Sequence, residues 1–293
     1  VDAAGLTDIE GNPIAAVSDI ESALREETSF LTQELDSWIF GLLEDGWSRG
    51  SRRVQAEGEK GLSTYLHERF TGLGASLSHV LQALDAFRNE WGDLETPWMW
   101  SEEKIRSLAL FLRQQLFPIH IAANKADSTK GEPWLAIESN GLVKPTMADM
   151  ELALRRADSG GMIEYSPGSD SFDIADESKL NPAQLNALSS MKEKLSQSGG
   201  TGVTNLISGV LFGALDHVVV YPVADENAWK DGEGKVLPDA FVVPNGIEAK
   251  ALAYKVHTDL GDGFIRAVDG KTRRIVGADH ECRDSDVIKI HSK

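Results

Sequence analysis

The stretch PIHIAANKAD, residues 118–127, decides the fold of this chain. Its apolar run at 119–123 is typical of a short buried strand. The polar residues Asn124-Lys125-Ala126-Asp127 that follow indicate a loop at the end of that strand. Helical texture precedes this stretch and alternating strands and helices follow it. The sequence therefore predicts an α/β domain with a helical region placed before this strand.

The residue types at 124–127 suit the recognition of guanine. The Asp127 carboxylate can accept hydrogen bonds from both N1–H and the exocyclic amine of guanine, whereas the bare N1 acceptor of adenine would repel it. Asn124 can bond the base edge and neighbouring backbone, and the Lys125 stem can lie along the ring plane. N-K-x-D is the guanine-reading motif of P-loop GTPases. The alternative interpretation is an ordinary polar turn after a strand.

A phosphate-binding loop of the form G-x-x-x-x-G-K-[ST] does not occur in the sequence. The one Gly-Lys-Thr, at 270–272, has Ile265 in place of the first glycine and is followed by a strand pattern, which predicts a hairpin turn. A D-x-x-G pattern at 2–5 continues into a polar turn, so we interpret Val1-Asp2 as the end of a strand. We therefore expect no catalytic residues and no metal ligands in this chain.

Composition bounds the class of protein. With 293 residues, 41% hydrophobic and 26% charged, the chain is long enough for two domains of an ordinary globular protein. Its one cysteine, Cys282, excludes an internal disulfide and fits a cytoplasmic location. The net charge of −17 argues against non-specific binding of nucleic acid or membrane. From Asp216 onward there are 11 Lys/Arg against 14 Asp/Glu, a net of −3, which leaves −14 for the first 215 residues.

The region before the strand is predicted to be helical. Periodic apolar positions favour helices over 18–47, 51–70 and 76–91, and a fourth from an N-cap at Ser101 to about Pro118. The simplest interpretation is a helical hairpin or small bundle. A partner-binding coiled coil would present the same pattern.

The rest of the chain alternates helices and strands. Helices are predicted after Met147, from an Asn181-Pro182 cap to about Gln197, and as a buried apolar helix over 203–215. The last seventy-odd residues show strands on both sides of one helix, which predicts a β-grasp fold. We place the domains at 1–215, with a helical insertion over about 15–117, and at 216–293.

Eight segments together resemble the archaeal branch of the YchF-type, Obg-related GTP-binding proteins, and the similarity runs along essentially the whole chain. It is strongest in the last seventy-five residues, which resemble a TGS domain. The segments are VDAAGLTDIEGNP, FLTQELDSWIFGLL, IAANKAD, PTMADMELALRRA, SGGTGV, YPVADENAWKDGEGKVLPDAF, AYKVHTDLGDGFIRAVD and DSDVIKI.

The resemblance implies a partial Ras-like P-loop GTPase domain, interrupted by a helical, coiled-coil insertion and followed by a β-grasp TGS domain. It assigns guanine specificity to Asn124, Lys125 and Asp127. It also assigns Thr146, Met147 and Ala148 to a second base contact, in which the Ala148 amide supports guanine. Met147 departs from the usual serine but leaves that backbone donor in place.

The resemblance further implies binding of GTP and GDP with Mg²⁺ and hydrolysis at the γ-phosphate. In the family, the phosphate loop, magnesium ligands and switch regions precede the segment equivalent to Val1. The chain is therefore expected to be N-terminally truncated, and inactive alone. The expected setting is the cytoplasm, on or near the ribosome and away from membranes. The alternative is a non-enzymatic adaptor that binds ribosome or RNA through the helical arm and the TGS domain.

Overall fold

The computed structural model describes residues 1–7, 10–13, 19–237 and 239–293. It divides into two compact units, Val1–Leu206 and Ile207–Lys293. The domain boundary predicted after residue 215 falls within the second unit. The start of the predicted helical insertion, near residue 15, lies outside the described residues.

Helices occupy the first part of unit one, as the apolar periodicity predicts. Ser101 caps the last of them, because its hydroxyl accepts the Lys104 N–H at 3.4 Å. Ser76 and His79 form a reciprocal capping box at the start of the helix Leu77–Trp91. The helices are α1 (Ile20–Glu44), α2 (Trp47–Gly50), α3 (Val54–Glu57), α4 (Glu59–Phe70), α5 (Leu77–Trp91) and α6 (Glu102–Leu116).

These helices share one apolar core. Helix α6 packs against both α1 and α5, and it contributes fully buried leucines such as Leu108 and Leu112. Arg113 is a large charged side chain buried there, and it donates from Nε to Asp36 Oδ1 of α1 at 2.7 Å. A bundle of this kind accords with the simpler sequence interpretation.

The chain after these helices carries short strands and further helices. Strands β1 and β2 are parallel, with Ile121 opposite Val143, and Val1–Ala3 runs alongside the other edge of β1 through backbone hydrogen bonds to Ala122 and Asn124. Asp2 forms an isolated parallel bridge with Asn124, and the strand end predicted at Val1-Asp2 stays a prediction. The elements are β1 (Ile121–Ala123), β2 (Val143–Pro145), α7 (Ala148–Ser159), β3 (Ile163–Glu164), β4 (Asp173–Ile174), α8 (Pro182–Ser198) and α9 (Val203–Ser208).

Local signals set the ends of α8. Asn181 accepts the Gln184 N–H at 2.9 Å in a second capping box, and left-handed Gly199 ends the helix. The helix predicted over 203–215 is α-helical only to Ser208 and continues as a π-helix over Gly209–Ala214. Its predicted burial is wrong, since Ile207 and Phe212 are exposed. Across the described part of the chain, no helix is both long and apolar enough to cross a bilayer.

The second unit is a five-stranded mixed sheet with one principal helix. Its strand order is β6-β5-β9-β7-β8; β5 and β9 are parallel and the other neighbours antiparallel. Leu252 and Ala253 of α10 belong to its buried surface, as a β-grasp requires. The elements are β5 (His217–Val223), β6 (Phe241–Pro244), α10 (Ala249–Val256), α11 (Thr258–Asp262), β7 (Phe264–Asp269), β8 (Arg274–Val276) and β9 (Val287–Ser292).

Candidate functional site

The parallel pairing of β1 and β2 brings the two predicted base-contacting segments together. Asn124 directly follows β1, and Thr146 directly follows β2. Thr146 N–H donates to Ala123 O at 2.9 Å, and Ala126 N–H donates to Thr146 O at 3.1 Å. The two loops are therefore joined by their backbones at the carboxyl ends of neighbouring strands, where α/β proteins place ligand sites.

Asn124 links the two loops through its side chain. Its Oδ1 accepts the Ala148 N–H at 3.0 Å and the Thr146 hydroxyl at 3.3 Å. The Ala148 amide at the start of α7 is thus already bonded, whereas the sequence predicted it as a donor to guanine. A base that recruits this donor must share it with Asn124 Oδ1 or displace that oxygen.

Lys125 adopts a left-handed backbone conformation, with φ +62°. This conformation costs a non-glycine residue roughly 1–2 kcal/mol. The Lys125 ammonium donates to Asp2 Oδ2 at 2.8 Å, and Asp2 also accepts the Thr7 hydroxyl and the Ala4 N–H. Burial opposes ionisation of Asp2, but these hydrogen bonds outweigh it and lower the pKa of its carboxyl. The pair fixes the lysine stem beside Asn124.

Asp127 lies in an exposed 3₁₀ turn beyond Lys125, and Ala148 is exposed as well. The Asp127 carboxylate stands 3.8 Å from Lys194 Nζ of α8, which also donates to the Asp127 carbonyl at 3.3 Å. An ion pair this exposed is worth little and yields readily to a ligand. Asp127 is consequently accessible to the edge of a base.

Met147, where the resemblance implies a serine, is buried among apolar side chains that include Met150 and Leu154. It precedes α7 without a side-chain cap. Its N–H donates instead to Thr201 O at 2.8 Å. The methionine therefore anchors the turn through packing and through its backbone.

Residues outside the predicted site also support the Thr146–Ala148 turn. The buried Glu151 carboxylate of α7 accepts the Thr201 hydroxyl at 2.5 Å, the Tyr165 hydroxyl at 2.9 Å and Arg155 Nε at 2.7 Å. Burial disfavours its charge, yet the three hydrogen bonds prevail and lower the pKa of Glu151. In the sequence, the Gly199–Gly202 loop appears within SGGTGV, residues 198–203, one of the segments that carry the family resemblance.

A cleft of about 420 Å³ opens next to the Thr146–Ala148 turn. Its walls include residues that precede the turn in the sequence and residues that follow it. Ala126, Met147 and Gly202 line it, but Asn124, Asp127 and Ala148 do not. The cleft therefore borders both predicted base-contacting segments, through Ala126 and Met147.

Comparison with known families agrees with this organisation. Residues 122–225 match the Obg-like GTPase YGR210-like, G4 motif-containing domain, and residues 233–292 match the TGS domain. Strand β1, the Asn124–Asp127 loop and the Thr146–Ala148 turn fall within the first match, apart from Ile121. All of β6 to β9 falls within the second.

Two curated relatives are similar over nearly the whole chain. The GTP-binding protein MJ1332 of Methanocaldococcus jannaschii is 41% identical over 298 residues, covering 100% of this chain and 72% of that protein. The GTP-binding protein C428.15 of Schizosaccharomyces pombe is 26% identical, covering 98% of this chain and 68% of its own length. A crystal structure of a GTP binding protein from Pyrococcus horikoshii superimposes with a TM-score of 0.66 at 34% identity, covering 100% of this chain and 77% of the other.

These matches define a class of protein that joins an Obg-like GTPase domain, with its helical region, to a C-terminal TGS domain. The chain belongs to the Obg-like GTP-binding proteins. The fold class predicted from the sequence, including the helical insertion and the β-grasp domain, is confirmed.

Proposed function

We propose that this chain carries the guanine-reading part of a YchF-type GTPase and binds GTP and GDP through Asn124, Lys125, Asp127 and the Thr146–Ala148 turn. The observation that carries the proposal is the bond from Ala148 N–H to Asn124 Oδ1. It joins the Asn124–Asp127 loop to the Thr146–Ala148 turn, and Asp127 and Ala148 are exposed residues of these two segments. Family membership supports the same assignment.

The chemistry of guanine fits these groups. Asp127 would accept N1–H and the exocyclic amine, and Ala148 N–H would donate to the O6 carbonyl. The aliphatic stem of Lys125, held by Asp2, would lie along the ring. Adenine presents an acceptor at N1 and an amine at position 6, so both groups would oppose it.

Hydrolysis of GTP by the family's mechanism requires contacts that this sequence does not supply. The sequence has no G-x-x-x-x-G-K-[ST] loop. Among the residues that the structure describes, no cluster of three or more His, Cys, Asp or Glu side chains could hold a metal ion. We expect the chain alone to be inactive and to bind nucleotide more weakly than micromolar, because phosphate contacts dominate nucleotide affinity.

The test is a titration of the full chain with GDP and with ADP, followed by amide chemical shifts at Asn124–Asp127 and Thr146–Ala148. We expect GDP to bind in preference to ADP, with shifts confined to these two loops. The matched variant Asp127→Asn should lose the preference for GDP and gain affinity for xanthosine diphosphate, because the new amide can donate to the carbonyl at position 2. Equal binding of GDP and ADP would overturn the proposal.

A second candidate is an adaptor that binds ribosomal or other RNA through the TGS domain in the cytoplasm. One observation favours it: the hairpin between β7 and β8 exposes Lys271, Arg273 and Arg274. Arg273→Ala with Arg274→Ala should reduce co-sedimentation with ribosomes. Lys250→Ala with Lys255→Ala, which removes the same charge from α10, should leave it unchanged. Equal behaviour of the two pairs would indicate a net-charge effect rather than a docking site.

A further inference from the structure

Two parts of the chain hold the Thr146–Ala148 turn. One is Asn124, and the other is the loop Gly199–Gly202. Thr201 O accepts the Met147 N–H at 2.8 Å. Gly202 has φ +77°, and a Cβ at this position would lie 2.0 Å from Pro145 O. The loop therefore contacts the turn on both sides of Thr146, and the close approach at Pro145 requires glycine.

Glu151 holds this loop in place. The hydrogen bond from the Thr201 hydroxyl to the Glu151 carboxylate is short and buried, with Thr201 1% and Glu151 5% exposed. Glu151 belongs to α7, the helix that begins at the base-reading amide of Ala148. Tyr165 and Arg155 donate to the same carboxylate, so its position is determined from three directions. A carboxylate fixed in this way ties the start of α7 to the Gly199–Gly202 loop.

We propose that Glu151 and Thr201 are positioning residues for guanine specificity, which hold the Thr146–Ala148 turn so that the Ala148 N–H meets the base. This inference rests on the proposed function. Neither residue contacts the predicted base-reading groups by its side chain. Their effect passes through the backbone bond from Met147 to Thr201. Selectivity depends on sub-ångström placement of such a donor, so loosening the turn should weaken discrimination before it weakens folding.

The decisive variant is Thr201→Val, which keeps the branched shape and removes only the hydroxyl. We expect the ratio of GDP to ADP affinity in the full chain to fall about fivefold. Amide exchange at Met147 and Ala148 should accelerate in the same variant. Thr201→Ser, which retains the hydroxyl, should restore both quantities. Thr32→Val applies the same change to a partly buried threonine of α1 and should alter neither.

The outcomes separate this inference from the proposed function. A wild-type chain without a GDP preference overturns the proposed function, and the inference with it. A wild-type preference that Thr201→Val leaves intact, with unchanged exchange at Met147 and Ala148, overturns the inference alone. A loss of preference that Thr201→Ser does not restore also contradicts it, because the hydroxyl would then not be the responsible group.

Discussion

Ala148 N–H donates to Asn124 Oδ1 at 3.0 Å, so the amide expected to meet guanine is held by a neighbouring side chain. The bond satisfies a first-turn amide of α7, which has no side-chain cap of its own. The bond also orients the Ala148 N–H close to the loop proposed to read guanine, because Asn124 directly follows strand β1. Guanine O6 would take over a donor that is already oriented.

Asn124→Ala should therefore release the Ala148 amide. We expect its hydrogen exchange to accelerate about tenfold, which corresponds to the loss of one hydrogen bond. Asn124→Asp keeps an oxygen at Oδ1 and should preserve the protection. Measurement of exchange at Ala148 by NMR checks both variants, and unchanged protection in Asn124→Ala would show that the bond contributes nothing.

The pair of Asp2 and Lys125 should make stability depend on pH in acid. Because the folded state lowers the pKa of Asp2, its contribution is complete above about pH 4, the ordinary aspartate value, and is lost as pH falls through the folded pKa. Asp2→Asn should lower the free energy of unfolding at pH 7 by about 1–2 kcal/mol. Denaturant unfolding at about pH 7, well above the ordinary aspartate pKa, and at about pH 2.5, well below it, should give a smaller difference at the acidic pH. A difference independent of pH would exclude the carboxylate as its source.

Two neighbouring glycines allow the effect of a close contact to be separated from that of the backbone conformation. Gly199 and Gly202 both have positive φ, +67° and +77°, but only a Cβ at Gly202 would collide, at 2.0 Å from Pro145 O. Gly199→Ala should cost about 1 kcal/mol from the left-handed conformation alone. Gly202→Ala should cost at least about 2 kcal/mol more, because the backbone must move. Equal melting temperatures for the two variants would contradict the contact.

The ion pair between buried Arg113 and Asp36 allows the effect of buried charge on the stability of the helical core to be measured. Asp36→Asn leaves the guanidinium buried without its carboxylate and should destabilise the chain by about 3 kcal/mol. The double variant Asp36→Leu with Arg113→Met removes both charges and should recover most of that loss. Chemical denaturation of Asp36→Leu, of Arg113→Met and of the double variant closes the cycle. Additive losses would mean that the pair is not coupled.

Cys282 should be unreactive in the folded protein. Burial, and secondarily the charge of Asp286, raise the pKa of its thiol to about 12. At pH 8 only about one molecule in ten thousand would carry a thiolate. We expect negligible modification by a thiol reagent under native conditions and rapid modification in guanidinium chloride. Fast native labelling would show that the second unit opens around Cys282.

Local sequence determined much of this protein, because local interactions decide helix ends and strand identity. Ser101 and Asn181 marked helix starts, and the apolar stretch before Asn124 marked the strand that carries the Asn-Lys-Ala-Asp loop. The β-grasp fold was likewise predicted from the strand patterns on both sides of one helical segment. The sequence predicted one helix in this domain, whereas the structure divides the helical segment at His257 into α10 and α11. His257 Nδ1 accepts the Asp259 N–H at 3.2 Å and starts α11, while the His257 backbone N–H donates to Ala253 O of α10.

Only the tertiary structure decided how the site is held. Asp2 and Lys125 stand 123 residues apart, and Glu151 and Thr201 stand 50 apart, so no local pattern predicts either contact. Each pairing depends on which strands and loops become neighbours, and a buried carboxylate is tolerated only where such neighbours supply donors. The residue types that can read guanine follow from chemistry visible in the sequence. Their placement follows from parallel strands that bring two distant loops to one edge.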